Sequence, residues 1–165
     1  MMPGGRLERI LVKRARRGPM DDTSEAQLVA GRGMRGNADQ GGRRQLTILG
    51  REGWDALARE IGQPLDAAER RANLVVSGLN LAHSRGRILL VGEVRLRING
   101  ETRPCERMDD VAPGLQAAMR RGWAGGAYGE VLDSGVIRVG DEVRWESGGR
   151  DVPMEQTGSD GSITS

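Results

Sequence analysis

A chain of 165 residues suffices for one domain that buries roughly two-thirds of its unfolded surface, and hardly for two. Its 25 basic and 23 acidic residues leave a formal charge of only +2, which does not describe a chain built to coat nucleic acid. A single cysteine excludes an internal disulfide, and no apolar run reaches the roughly 20 residues of a membrane span.

Residues 1–6 lack the apolar stretch of a secretory signal, so the expected location is the cytoplasm. With no Phe and one Tyr, the core must come from Leu, Val, Ile, Met and Trp. The 26 glycines point to tight turns and close backbone approaches rather than long helices. Residues 7–13 read as a first strand, with Ile10 and Val12 among charged neighbours. Residues 14–23 read as a polar connection and residues 26–30 as a second strand. Residues 31–42 carry five glycines and read as a loop too long for a simple hairpin, of the kind that is often functional or mobile. The loop lacks the Gly-Lys-Ser/Thr ending of a nucleotide P-loop.

Residues 44–49 are a strand candidate. Trp54, Leu57, Ala58 and Ile61 then stand at helical spacing, and Gly62 and Pro64 end the helix. Residues 74–76 form a short apolar strand closed by Gly78. The strongest strand signal spans residues 87–98, where Val94, Leu96 and Ile98 alternate with charged residues. Asn99-Gly100 reads as a hairpin turn returning the chain to Pro104-Cys105. Pro113 opens a short helix with Leu115, Ala118 and Met119 as its apolar stripe. Residues 127–132, 136–139 and 142–145 are the last strands. Residues 146–165, rich in Gly, Ser and acids, read as a disordered tail. Many short strands with a few short helices define a mainly β class, a closed or nearly closed β-barrel over residues 7–145.

Cys105 is the sharpest chemical feature. Arg103 and Arg107 stand two positions away on either side, and in an extended stretch they share its face. Positive charge favours the nucleophilic thiolate, Glu106 opposes it, and a buried apolar filler is the plain alternative. Arg71 and Asn73, entering the strand at residue 74, offer an anion-binding guanidinium and an amide that both donates and accepts; an exposed salt-bridging Arg and a turn-capping Asn are the plain reading. His83, the only histidine, has no sequence link to Cys105, and one Cys with one His cannot build a zinc site. Asp109-Asp110 read as caps of the following helix. Lys13, Arg14, Arg16 and Arg17 form a basic run without interleaved aromatics, read as a solvated loop. Trp123, in a Gly-rich segment, is a candidate pocket wall.

Several segments together resemble the MOSC family, named after the C-terminal part of the molybdenum cofactor sulfurases, in its small stand-alone bacterial form. The anchors are Arg71-Ala72-Asn73-Leu74-Val75-Val76-Ser77-Gly78, Arg103-Pro104-Cys105, residues 122–131 and Gly135-Val136-Ile137-Arg138-Val139-Gly140-Asp141. Gly18-Pro19-Met20 and Arg44-Gln45-Leu46-Thr47-Ile48 also look like family segments. The resemblance implies a β-barrel whose Cys105 carries sulfur as a persulfide or ligates the molybdenum of a molybdenum cofactor. Arg71, Asn73, Arg103 and Arg107 would hold the anionic pterin phosphate. Without an aminotransferase-like domain no pyridoxal phosphate is expected, so sulfur or electrons must come from a sulfur-donor or redox partner protein, or pass to a molybdoenzyme; neither nucleic acid nor membrane is an expected partner. A non-catalytic anion-binding module, and a small enzyme acting on N-hydroxylated or thiol-reactive substrates, are the alternatives. The sequence departs from the family at Gly36-Asn37-Ala38-Asp39, where many relatives place an acid directly after the glycine.

Overall fold

The computed structural model describes residues 4–104 and 107–147. Cys105, Glu106 and nearly all of the tail read from the sequence lie outside the described residues. The chain runs β1 (Gly5–Lys13), β2 (Met20–Thr23), β3 (Glu25–Val29), β4 (Gly33–Met34), β5 (Leu46–Gly50), α1 (Arg51–Ile61), a 3-10 turn (Ala67–Arg70), β6 (Leu74–Ser77), β7 (Ile88–Val91) and β8 (Val94–Glu101). It continues through α2 (Met108–Val111), α3 (Leu115–Met119), β9 (Ala127–Val131), β10 (Gly135–Arg138) and β11 (Glu142–Trp145).

The main sheet runs β11-β7-β8-β9-β5-β6-β1-β2, and β1 also pairs with β11. The sheet therefore closes on itself as a barrel, with β2 added outside the ring on β1. A small sheet, β10-β3-β4, completes the wall. All pairs are antiparallel except β5 with β6, whose parallel register (Ile48 opposite Leu74) requires a crossover. That crossover contains α1. The mainly β barrel expected from the sequence is thus the observed architecture.

Side-chain alternation divides the apolar residues between two cores. Leu46 and Ile48 of β5 point into the barrel with Ile10, Leu74, Val76, Leu96 and Ile98. Leu49 points outward and is buried with Trp54 and Leu57 of α1 and with Leu115 and Met119 of α3. The Trp54 indole N–H donates to the Leu65 carbonyl at 3.0 Å, so its polar edge is satisfied within this second core. Gly62 takes φ 85° and caps α1, its N–H reaching the Ala58 carbonyl. Among the described residues no helix is long and apolar enough to cross a membrane.

Four local expectations are corrected. The run over residues 87–98 is two strands, β7 and β8, folded about Gly92, whose φ of 59° supplies the turn. Asn99 and Gly100 are not a turn: both continue β8 against β9, with a register shift between Ile98 and Gly100. A Cβ on Gly100 would lie 2.8 Å from the Tyr128 hydroxyl, so the glycine answers to a close approach and not to a turn. The connection over residues 14–23 contains β2, whose Asp22 carboxylate receives two hydrogen bonds from Arg9. The glycine loop contains the two-residue β4.

Candidate functional site

The segment that enters β6 carries the first site residues. Asp66 caps the 3-10 turn by accepting the Ala68 N–H at 2.9 Å, and Arg9 donates to the same carboxylate at 2.8 Å. The cap and the guanidinium hold the Asp66 carboxyl below its ordinary range. The turn ends on Arg71 at φ 65°, an uncommon left-handed conformation for a residue with a Cβ. Its guanidinium donates to the carbonyls of Gly18 (2.7 Å) and Arg16 (3.4 Å), which docks the connection after β1 onto this corner.

Asn73 is buried, and its amide is fully engaged within the protein. Nδ2 donates to the Leu11 carbonyl and to Asn37 Oδ1, both at 3.1 Å. Oδ1 accepts from the Thr47 N–H at 3.1 Å and the Thr47 hydroxyl at 3.3 Å. Asn73 therefore positions β1, β5 and the glycine loop around the site and has no donor left over for a ligand. Asn37 Oδ1 also accepts the Lys13 N–H at 2.9 Å, which fixes the orientation of that amide and leaves Asn37 Nδ2 buried without a partner among the described residues. Two residues on, Asp39 forms an ion pair of 2.8 Å with Lys13. The glycine loop is thus a wall of the site, held by hydrogen bonds.

These residues enclose a cavity of about 180 Å³ lined by Lys13, Arg44, Arg70, Arg71 and Thr102, with Asp39, Thr47, Asn73 and Gly125 completing the walls. Arg70 donates to the carbonyls of Gly125 (2.9 Å) and Thr102 (2.8 Å), so it braces the cavity from the side of β9. A Cβ on Gly125 would lie 2.8 Å from the Thr102 carbonyl oxygen and 3.2 Å from Arg70 Nη2; only glycine lets these groups meet. Thr102 is 4% exposed, and its hydroxyl has no hydrogen-bond partner among the described residues. A buried orphan hydroxyl beside four cationic side chains is a donor waiting for an acceptor.

The cavity lining includes Arg71 and Asn73, the two residues singled out in the sequence on this segment. Lys13, Arg44, Arg70 and Thr102 were not read as site residues. Thr102 stands three residues before Cys105, which connects the cavity to the cysteine segment along the chain. Arg103 is exposed and follows Thr102 directly. Arg107 is exposed and has helical dihedrals (φ −62°, ψ −21°) at the start of α2, so the extended geometry in which Arg103 and Arg107 share one face does not run through it. The Asp109 carboxylate accepts the Gln116 N–H in the first turn of α3 at 3.0 Å, while Asp109 and Asp110 themselves stand within α2 and not ahead of it.

A larger cavity of about 630 Å³ lies on the other side of the Gly-rich segment, lined by Leu57, Leu79, Leu81, Ala118 and Trp123. Trp123 is therefore a pocket wall. His83, with its ring centroid 6.1 Å from that of Trp123, stands beside this apolar cavity and does not line the arginine pocket. The smaller cavity gathers cations and an orphan donor. Among the described residues no group of three or more His, Cys, Asp or Glu is placed to hold a metal ion.

The solved structures similar to this chain share its fold. The YUAD protein from Bacillus subtilis matches with a TM-score of 0.70 and 20% identity, over 84% of this chain and 93% of that one. YiiM from Geobacillus stearothermophilus matches with a TM-score of 0.68 and 16% identity, over 89% and 77%. YiiM from Escherichia coli gives 0.64 and 20%, over 89% and 72%. No curated protein sequence matches the chain. The family model described as the MOSC domain matches residues 33–144, a span that holds most of the barrel and of the arginine pocket. The chain belongs to the MOSC domain family.

Proposed function

We propose that this protein handles sulfur or the molybdenum cofactor through Cys105, with the arginine pocket holding the anionic end of the cofactor or of the sulfur-bearing substrate. The observation that carries this reading is the buried, unpartnered Thr102 hydroxyl in a cavity walled by Lys13, Arg44, Arg70 and Arg71. The cavity has the volume of about six waters, below the roughly 300–1,000 Å³ of pockets that enclose a whole ligand. It therefore fits a phosphate-like terminus and leaves the rest of a pterin outside. Arginine forks suit that terminus because they donate in pairs to a planar or tetrahedral oxyanion.

In this reading Arg71, Arg70, Lys13 and Thr102 bind and orient the anion, and Asn73 holds the wall. Arg103 and Arg107 flank Cys105 and favour its thiolate. The bound cofactor supplies a thiophilic metal centre, for which a cysteine thiolate is a suitable ligand. As a sulfur carrier, the Cys105 thiolate attacks the sulfane sulfur of a donor persulfide; a new S–S bond forms on Cys105, and the donor leaves as its own thiolate. Mass spectrometry after incubation with a persulfide donor tests the reading. The protein gains one sulfur atom at Cys105 and Cys105→Ser gains none; failure of both persulfide and cofactor to load on Cys105 sinks it.

The same cavity supports a second reading, an anion-binding module that makes no use of the thiol. It is favoured by a donor set that is complete without Cys105. It requires that Arg71→Ala weaken anion binding while Cys105→Ser changes nothing.

A further inference from the structure

We propose that the cavity of about 630 Å³ beside the Gly-rich segment is a second binding site, built for a small organic cation with an apolar, aromatic body. The site goes beyond the reading above and uses neither Cys105 nor the arginine pocket. Its volume falls within the roughly 300–1,000 Å³ of pockets that enclose a whole ligand, and Leu57, Leu81 and Ala118 give it a buried apolar floor. The sequence keeps this space open. Gly53 lies within α1, outside the left-handed region, and a Cβ there would meet nothing within 4 Å. Neither backbone nor packing asks for glycine at that position, and a helix is less stable with glycine than with alanine. What the missing side chain provides is room in the cavity that Gly53 lines. Trp123 holds φ 60° and His83 φ 56°, uncommon for residues with a Cβ, and their rings meet at this cavity. The other described non-glycine residue with positive φ, Arg71, lines the arginine pocket.

The charges of the lining select the ligand. Arg121, the basic side chain in it, is ion-paired with Glu60. Glu52 remains: it accepts the Gly78 N–H at 2.8 Å and pairs with no cation among the described residues. The lining thus carries an uncancelled negative charge, the opposite of the arginine pocket. Trp123 supplies an aromatic wall. Tyr128 lies under Arg44 and Trp145 under Arg87, with guanidinium carbons 5.6 and 4.3 Å from the ring centroids, and Trp54 is buried. Among the described residues no arginine or lysine stands over Trp123. A carboxylate without a counter-ion and an indole without a cation, on one apolar cavity, complement an ammonium or amidinium group on an aromatic body. A protein partner is the poorer occupant. The exposed large hydrophobics among the described residues are Val136 and Val139, and neither borders the cavity.

The test titrates the full chain with tryptamine, its neutral isostere tryptophol and the anionic indoleacetate, following the protein's indole N–H signals by nitrogen–proton NMR. Trp123→Phe identifies the Trp123 signal by its disappearance. Tryptamine should move that signal ahead of those of Trp54 and Trp145. Its affinity should exceed that of tryptophol by at least about fivefold and that of indoleacetate by at least about tenfold. Glu52→Gln should bring tryptamine within about twofold of tryptophol. Gly53→Leu fills the cavity and, as a better helix former, should melt no lower than wild type; it should weaken tryptamine and tryptophol alike by at least about tenfold. Ala56→Leu, one turn along the same wall, blocks the cavity independently and should do the same. No movement of the Trp123 signal by about 5 mM tryptamine, equal affinities for the three indoles, or tryptamine binding undiminished in both blocked variants would each overturn the proposal. A wild-type dimer in sedimentation that the blocked variants dissociate would also overturn it, assigning the groove to a second copy of the chain.

Discussion

Replacing Thr102 by Val should make the empty protein more stable and the pocket worse at its work. Thr and Val are close in shape, so the change removes one hydroxyl and leaves the packing. That hydroxyl is buried and has no partner among the described residues. Stranding a hydroxyl costs about 1–3 kcal/mol, and recovering only about 1 kcal/mol raises the melting temperature of a chain this size by about 2–4 °C. An oxyanion in the pocket accepts from the same hydroxyl, and a hydrogen bond to a charged group contributes about 1.5–3 kcal/mol, or at least about tenfold in affinity. At phosphate 100-fold above the wild-type Kd, the ligand stabilises the wild type by about 2.7 kcal/mol and a tenfold weaker variant by about 1.4 kcal/mol. Thermal unfolding with and without phosphate reads both quantities. Thr102→Ser, which keeps the donor, should restore most of the phosphate effect. A Thr102→Val protein that melts lower than wild type while keeping its full phosphate shift would refute the reasoning, because the hydroxyl would then be serving the fold.

Asn73→Ala should cost about 2–4 kcal/mol in urea unfolding, since it strands the Leu11 carbonyl and the Thr47 N–H and removes one of the two donors to Asn37 Oδ1; a cost below about 1 kcal/mol would show that Asn73 does not hold the wall. Gly129→Ala places a Cβ 2.2 Å from the Arg97 carbonyl oxygen across the β8–β9 pairing and should destabilise by about 3 kcal/mol or more, whereas Gly50→Ala, which meets nothing within 4 Å, should be within about 1 kcal/mol of wild type. Asp66 gives a pH test. Its carboxyl is held below the ordinary range, so its contribution is complete above the unfolded value and is lost as pH falls through the folded one. The stability gap between wild type and Asp66→Asn should stay constant from pH 7 to about pH 4 and narrow below it; a gap that opens on acidification contradicts the assignment.

Much of the barrel was readable because period-two alternation survives in its strands. Leu46, Ile48 and Leu49 in β5, and Val94, Leu96 and Ile98 in β8, report burial directly. The errors came where packing overrode local preference. Asn99-Gly100 has the composition of a turn, yet Asn99 is spent on the Arg43 carbonyl and Glu130 while Gly100 makes room for Tyr128. The actual turn, at Gly92, was hidden inside one apolar run. Arg71 and Asn73 stood out as polar residues entering an apolar strand. Lys13, Arg44, Arg70 and Thr102 come from four distant segments, and no spacing along the chain announces that they converge. Thr102 carried one usable hint, its place just ahead of Arg103-Pro104-Cys105. Asn73, read as a donor and acceptor for a ligand, proves to be a brace, because its four hydrogen bonds lie inside the protein.

Native mass spectrometry with metal analysis, applied to the protein and its Cys105→Ser variant purified from the natural host, tests the central claim most directly. A persulfide sulfur or a molybdenum-bearing pterin is expected on the wild type and lost in Cys105→Ser, with pterin retention also weakened by Arg71→Ala. Masses equal to the bare sequence for both wild type and Cys105→Ser, with no molybdenum in either, would contradict that claim.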